Sequence, residues 1–365
     1  MSDQNGNMKT IELHENGLDI QFRILENGVV ELADLSSQEV KKAAMEPKED
    51  IYYPAVEIHR SGTGSLNMHA YKNNINQSSV DFVYENHELK AQAGGKELEI
   101  VMISPEKLKA VYHMRLFDGV PAVQTWTEIT NEGSEDQGLT YVSSFIYQGI
   151  SRGGDKPYYK KTDIYVPFNS WCCEAQWQKY DAETLNLNGM VVDGFNHQGY
   201  GLNRYCYSGK GTWSTCEYLP MGIAEDRETG ETYIFQVESS GQWLIEYGSA
   251  QGGNLYLTVS GATEQEHGWY KNLKPGECFT TVPAGAAVVK GGLNPAVAAL
   301  TRYRRKVRRA NPDDEKLNVV FNDYMNCLMG DPTTERELSI IDKAAELGCE
   351  YYCLDAGWYD DGFWW

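Results

Sequence analysis

A chain of 365 residues has room for two or three domains, and an apolar fraction of 41%, with 24 Tyr and 9 Trp, supplies packed cores rather than disorder. The net charge of −20 disfavours a nucleic-acid partner, because neutralising phosphates takes a basic surface. The first residues, Met1 to Asn7, lack the basic and apolar regions of a leader, and no stretch approaches the roughly 18 apolar residues of a membrane span.

A soluble, cytoplasmic protein is therefore expected. The eight cysteines (Cys172, Cys173, Cys206, Cys216, Cys278, Cys327, Cys349 and Cys353) show no Cys-x-x-Cys spacing. They predict reduced, mostly buried thiols. The seven histidines form no His-Glu-x-x-His motif, so neither a metal nor a cofactor is predicted.

From about residue 8 to 293 the chain reads as strands separated by turns. Ile20, Phe22 and Ile24 alternate with Gln21 and Arg23, and Asn27-Gly28 then predicts a tight hairpin. Ser239-Ser240-Gly241, between Tyr233–Val237 and Trp243–Tyr247, predicts another. Leu255, Leu257 and Val259 alternate with Tyr256, Thr258 and Ser260, as in a half-buried strand. The whole region 1–293 predicts a large antiparallel β-sandwich.

Residues 294–316 read as a linker helix. Asn294-Pro295 serves as N-cap and first turn, with Val297, Leu300 and Val307 as an incomplete apolar stripe. Six cations fall between Arg302 and Arg309, a solvated face whose charge favours the C-terminal end. Asn311-Pro312 breaks the helix.

From residue 317 to 365 the pattern becomes strand, helix, strand. Leu317–Phe321 is an apolar strand, and Asp331-Pro332 opens a helix with Asp331 as cap. Leu338, Ile341, Ala344 and Ala345 are its candidate buried face, Gly348 its C-terminal cap, and Glu350–Leu354 the next, buried strand. This is one right-handed parallel βαβ unit. A (β/α)8 barrel takes about 250 residues. The unit is therefore either the onset of an incomplete barrel, with its other strands outside these residues, or part of a smaller sheet, and the first is expected.

Four stretches then carry a family likeness: Gly119–Val123 leading to Thr130-Asn131-Glu132-Gly133, Trp171-Cys172-Cys173-Glu174 with Trp177, Phe321-Asn322-Asp323-Tyr324, and Leu354-Asp355-Ala356-Gly357-Trp358. Together they resemble the N-terminal half of glycoside hydrolase family 36, the α-galactosidases or melibiases. That resemblance implies a retaining enzyme with both catalytic aspartates on later barrel strands, so no catalytic residue is assigned here. It implies that Asp355 accepts hydrogen bonds from sugar hydroxyls, that Trp358 and Tyr324 line the pocket, and that Trp171 and Glu174 lean toward it from the sandwich. An α-galactoside or related oligosaccharide is the implied ligand, with assembly through the sandwich.

Two positions depart from the family pattern. Ala356 replaces the second of two paired acids, and Tyr324 stands where a Trp is expected. A different α-glycoside, an N-acetylated sugar or transglycosylation stays open on that account, as does a non-catalytic carbohydrate-binding or structural sandwich.

Overall fold

The computed structural model describes residues 8–48, 51–64, 66, 72–188, 203–250 and 253–359. Its architecture is mainly β. The largest sheet has ten strands, in the order Cys173–Asp181, Thr162–Ser170, Met221–Asp226, Glu231–Val237, Ala284–Lys290, Val120–Asn131, Leu108–Phe117, Gly95–Ile103 and Val83–Gln92, with Cys278–Thr280 also paired to Val120–Asn131. A six-stranded sheet runs Arg204–Gly209, Trp243–Ala250, Asn254–Ser260, Gln137–Ile150 and Lys271–Leu273, with Ile58–Arg60 also on Gln137–Ile150. Three further strands, Lys9–Glu15, Leu18–Ile24 and Val30–Ser37, form a meander. Every pairing in these three sheets is antiparallel.

The predicted β-sandwich is thus present. Its core joins the inner faces of the sheets through residues such as Leu98, Ile100, Tyr147, Phe235, Ile245, Tyr247 and Leu257, all buried. Fully burying one such side chain contributes about 1.5–3 kcal/mol. Buried aromatics with polar tips are anchored: the Trp243 indole donates to the Ser214 carbonyl at 2.7 Å, and the Tyr233 hydroxyl to that of Leu35 at 2.8 Å.

The Asn27-Gly28 hairpin forms as its sequence predicts, with Gly28 at φ +88°. Ser239-Ser240-Gly241 does not make a hairpin. The strand before it lies in the ten-stranded sheet and the strand after it in the six-stranded sheet, so this turn carries the chain across the sandwich. Turn chemistry specifies a reversal; only the competition between sheets decides which partner each strand takes.

The strand Asn254–Ser260 also departs from expectation, because both its faces are buried. Leu255, Leu257 and Val259 enter the core, whereas Tyr256 and Thr258 share the outer face with Glu246. Two buried glutamates hold a covering segment there. Glu246 accepts from the Asn73 backbone and side-chain amides (2.8 and 2.9 Å), from Arg204 and from the Tyr256 hydroxyl (both 2.6 Å). Glu57 accepts from the Ile75 amide and the Ser79 hydroxyl, both at 2.6 Å. Buried carboxylates persist only when their lone pairs are filled in this way.

The chain divides into two compact units, residues 1–306 and 307–365. In the first, the helix Leu293–Val307 buries Ala296, Ala299, Leu300 and Tyr303, while Val297 is exposed. Leu300 is buried as expected, and the rest of the buried stripe is made by two alanines and a tyrosine, which a reading of large apolar residues misses.

In the second unit, Pro312–Lys316 is a short helix whose N-cap, Asn311, accepts from the Asp313 amide. Val320–Asn322 and Tyr351–Cys353 pair in parallel on either side of the helix Thr334–Glu346. The predicted βαβ onset is therefore present. Gly348 follows the C-cap at φ +84°, as predicted.

Two details differ. Thr333, not Asp331, is the N-cap, and Asp331 instead pairs with Arg336. Of the four candidate core residues only Ala344 is buried; Leu338, Ile341 and Ala345 are exposed, as are Tyr351 and Leu354 on or beside the second strand. A parallel pair needs cover on both faces, and one helix supplies too little.

None of the eight cysteines is buried, and all are free thiols. Five are exposed, Cys172, Cys173, Cys216, Cys278 and Cys327, on turns, short strands or the second unit, where no core is available to take them. No helix among the described residues is long and apolar enough to cross a membrane.

Candidate functional site

The C-terminal ends of the two parallel strands bring together a compact group of polar residues in the second unit. Asn322, which ends the first strand, donates from Nδ2 to Asp355 Oδ2 at 2.7 Å. Its own Oδ1 accepts from the Tyr324 amide at 2.9 Å. Asp323 is buried, 1% exposed, and its Oδ1 accepts from the Asp355 backbone amide at 2.9 Å. The Asp323 amide in turn donates to the Cys353 carbonyl at 3.2 Å. The two strand ends are thereby laced through alternating side chain and backbone, which fixes where the Asp355 carboxylate stands.

The loops beyond these ends also pack tightly. Gly357 has φ +91°, and a Cβ placed there would lie 2.1 Å from the Gly330 carbonyl oxygen. Only glycine meets both demands. Tyr324 places its ring edge 3.4 Å from where a Cβ of Gly330 would be, so this aromatic sits against the same loop. Trp358 is 54% exposed, and its indole donates to the Asp355 carbonyl at 2.9 Å. Asp355, Trp358 and Tyr324 therefore share one loop cluster at the strand ends. Asp355 itself is exposed.

Asp323 Oδ2 is buried and has no partner among the described residues. Asn322 and Asp323 lie in a stretch that carries the family likeness, but the sequence assigns a site role only to Tyr324 of the same turn. The signal available was their place at the end of an apolar strand, where side chains reach the mouth of a parallel sheet.

Trp171 and Glu174 belong to the first unit, at the tip of the hairpin joining Thr162–Ser170 to Cys173–Asp181. Trp171 is 80% exposed. Cys172 occupies the left-handed region at φ +59°, and its amide donates to Glu174 Oε1 at 3.0 Å. Asn169 Oδ1 accepts from the Ala175 amide at 2.9 Å across a register shift. Glu174 thus braces the turn that holds Trp171 out in solvent.

A hydrogen-bonded carboxylate on a strand end, beside an exposed indole and a half-buried phenol ring, can accept from hydroxyls and cover an apolar sugar face.

No family model matches the chain. Among curated proteins, the α-galactosidase AgaA of Geobacillus stearothermophilus is 28% identical over 137 residues, 37% of this chain and 18% of that protein. The α-galactosidase Mel36A of Lactobacillus acidophilus is 27% identical over 188 residues, 49% of this chain and 25% of that one. Among solved structures, the glycoside hydrolase family 36 enzyme AgaA superposes with a TM-score of 0.71 at 16% identity, covering 96% of this chain and 50% of the other. The galactosidase domain of the α-galactosidase-sucrose kinase AgaSK gives 0.72 at 15% identity, covering 98% and 51%. Variants of AgaA have been solved in complex with raffinose and with stachyose. The chain spans about half the length of these solved relatives.

Proposed function

We propose, from its likeness to glycoside hydrolase family 36 α-galactosidases, in fold over nearly the whole chain and in sequence over part of it, that this chain forms the N-terminal portion of a retaining α-galactosidase-like hydrolase. Its part in that activity is to seat the sugar, not to carry out bond cleavage. The observation that carries this reading is the Asn322–Asp355 clasp, which presents an exposed acidic side chain at the mouth of a parallel strand pair.

In this reading Asp355 accepts charge-assisted hydrogen bonds from ring hydroxyls, and Trp358 and Tyr324 flank the ring. The catalytic carboxylates come from barrel strands outside these residues. The ligand is an α-galactoside or a related oligosaccharide, and the sandwich supports assembly of the complete, cytoplasmic enzyme. Ala356, in place of a second acid, leaves a single carboxylate to recognise the hydroxyls, which favours a less exclusive choice of sugar.

The test uses the 365-residue chain. Weak raffinose binding, followed by saturation-transfer NMR, is expected and is lost in Asp355→Ala, with no hydrolysis of an aryl α-galactoside above background. Hydrolysis that depends on Asp355 would overturn the division of labour. One observation favours a second, non-catalytic reading in which the sandwich itself holds sugar, namely the solvent-projected Trp171. Binding lost in Trp171→Ala but kept in Asp355→Ala would select it.

A further inference from the structure

The outer face of the ten-stranded sheet carries a group that no sequence motif announces. Glu97 and Glu99 are two apart on the strand Gly95–Ile103, so both project from one face while Leu98 and Ile100 enter the core. On the neighbouring strand Leu108–Phe117, His113 stands directly opposite Glu99. Its Nδ1 lies 3.0 Å from Glu97 Oε1 and 3.9 Å from Glu99 Oε1. All three ligand atoms fall within 4.8 Å of one another. We propose that Glu97, Glu99 and His113 form a binding site for a first-row divalent cation such as zinc or cobalt.

Three arguments lead there. The first is electrostatic. Glu97 and Glu99 repel one another across this face; the hydrogen bond between His113 Nδ1 and Glu97 and the Lys90–Glu99 pair offset that repulsion. A divalent ion between the carboxylates would offset it more strongly, because the side chains are only 9%, 13% and 21% exposed, which weakens screening by water.

The second is geometric. Ligand atoms bound at about 2.1 Å to one ion stand roughly 3.0–3.5 Å apart, so His113 Nδ1 is already within about half an ångström of that spacing from each glutamate. The two carboxylates, within 4.8 Å of each other, complete the site by side-chain rotation. The third is pre-organisation. The His113 ring is stacked on Trp126, with centroids 4.6 Å apart and planes at 6°. Its Nε2 is buried without a partner among the described residues, so the ring's polar engagement lies wholly on the carboxylate side. One nitrogen with two carboxylate oxygens suits zinc, cobalt or manganese, with the remaining positions left to water.

Two cations border the site. Lys90 pairs with Glu99 from the edge strand Val83–Gln92. Arg115 is opposite Glu97 in register, but its guanidinium lies over the Phe117 ring at 5.2 Å. A bound metal takes the position that Lys90 now neutralises, so the lysine competes with it. When bound, the ion ties two neighbouring strands together on the solvent face of the sandwich.

The experiment is isothermal titration of the 365-residue chain with zinc chloride, after alkylation of the exposed thiols so that cysteines take no metal. Cobalt(II) provides a visible-absorption signature of nitrogen and oxygen ligation. One saturable site is expected. Glu97→Gln and Glu99→Gln should each weaken it at least about tenfold, and Lys90→Met should tighten it. Glu12→Gln, beside the exposed His14, should leave it unchanged. A merely structural ion pair predicts no gain in Lys90→Met. Absence of saturable binding up to millimolar zinc would overturn the proposal, as would unchanged affinity in both glutamine variants whose circular dichroism shows them folded.

Discussion

Asn322 Nδ2 donates to Asp355 Oδ2 at 2.7 Å, joining the ends of two parallel strands that are 33 positions apart in the chain. The bond does two things at once. It closes the strand pair at its C-terminal edge, and it sets the position of the acid proposed to seat the sugar.

Asn322→Ala should therefore act on both. Loss of a largely exposed hydrogen bond to a charged acceptor is expected to destabilise the second unit by about 1 kcal/mol. Raffinose binding should weaken alongside, although Asp355 itself is intact. Amide hydrogen exchange at the strand ends, measured with the NMR titration, checks the two effects together. Unaltered sugar affinity beside faster exchange would confine Asn322 to a structural role.

Gly357→Ala offers a sharper structural test. The backbone sits at φ +91°, and the new Cβ would lie 2.1 Å from the Gly330 carbonyl oxygen. The unfavourable φ alone costs on the order of 1–3 kcal/mol, and the overlap with backbone adds to it. Loop packing at the strand ends should be lost. Limited proteolysis should then cut within residues 307–359, while the sandwich unit keeps its own melting transition.

A pH effect follows from His267. Its Nδ1 accepts from the Thr263 amide at 3.0 Å, which puts the ring proton on Nε2, facing the Gly209 carbonyl at 3.1 Å. Burial holds its pKa below the usual 6.5, and the nearby Lys210 lowers it further. The folded protein therefore binds this proton less readily than the unfolded chain. The stability contributed by the neutral ring is present above about pH 6.5 and is lost as pH falls through the lowered value. In His267→Gln the drop in melting temperature between pH 7.5 and pH 5.5 should be smaller than in the wild-type chain. An equal drop would mean that other groups account for the acid sensitivity.

Local features of the chain were readable wherever neighbours in sequence settle the matter. Asn27-Gly28 specifies a hairpin because its backbone needs a positive φ, and Gly348 ends a helix for the same reason. The strand–helix–strand order near the C-terminus follows from a switch in hydrophobic period, and the likeness of the turns after Phe321 and Leu354 to a glycosidase family is likewise written in consecutive residues.

Other features depend on which segments pack side by side. Ser239-Ser240-Gly241 has hairpin composition yet crosses between sheets, because partner choice belongs to the sandwich as a whole. Tyr256 and Thr258 look solvent-facing by alternation, but Glu57 and Glu246 hold the 72–79 segment over them. The pairing of Asn322 with Asp355, and the meeting of Glu97 and Glu99 with His113, bring together residues that are unremarkable where they stand in the chain. Local backbone preference and period were thus set by the sequence itself. The contacts that make sites were decided by strand register, since register alone determines which side chains share a face.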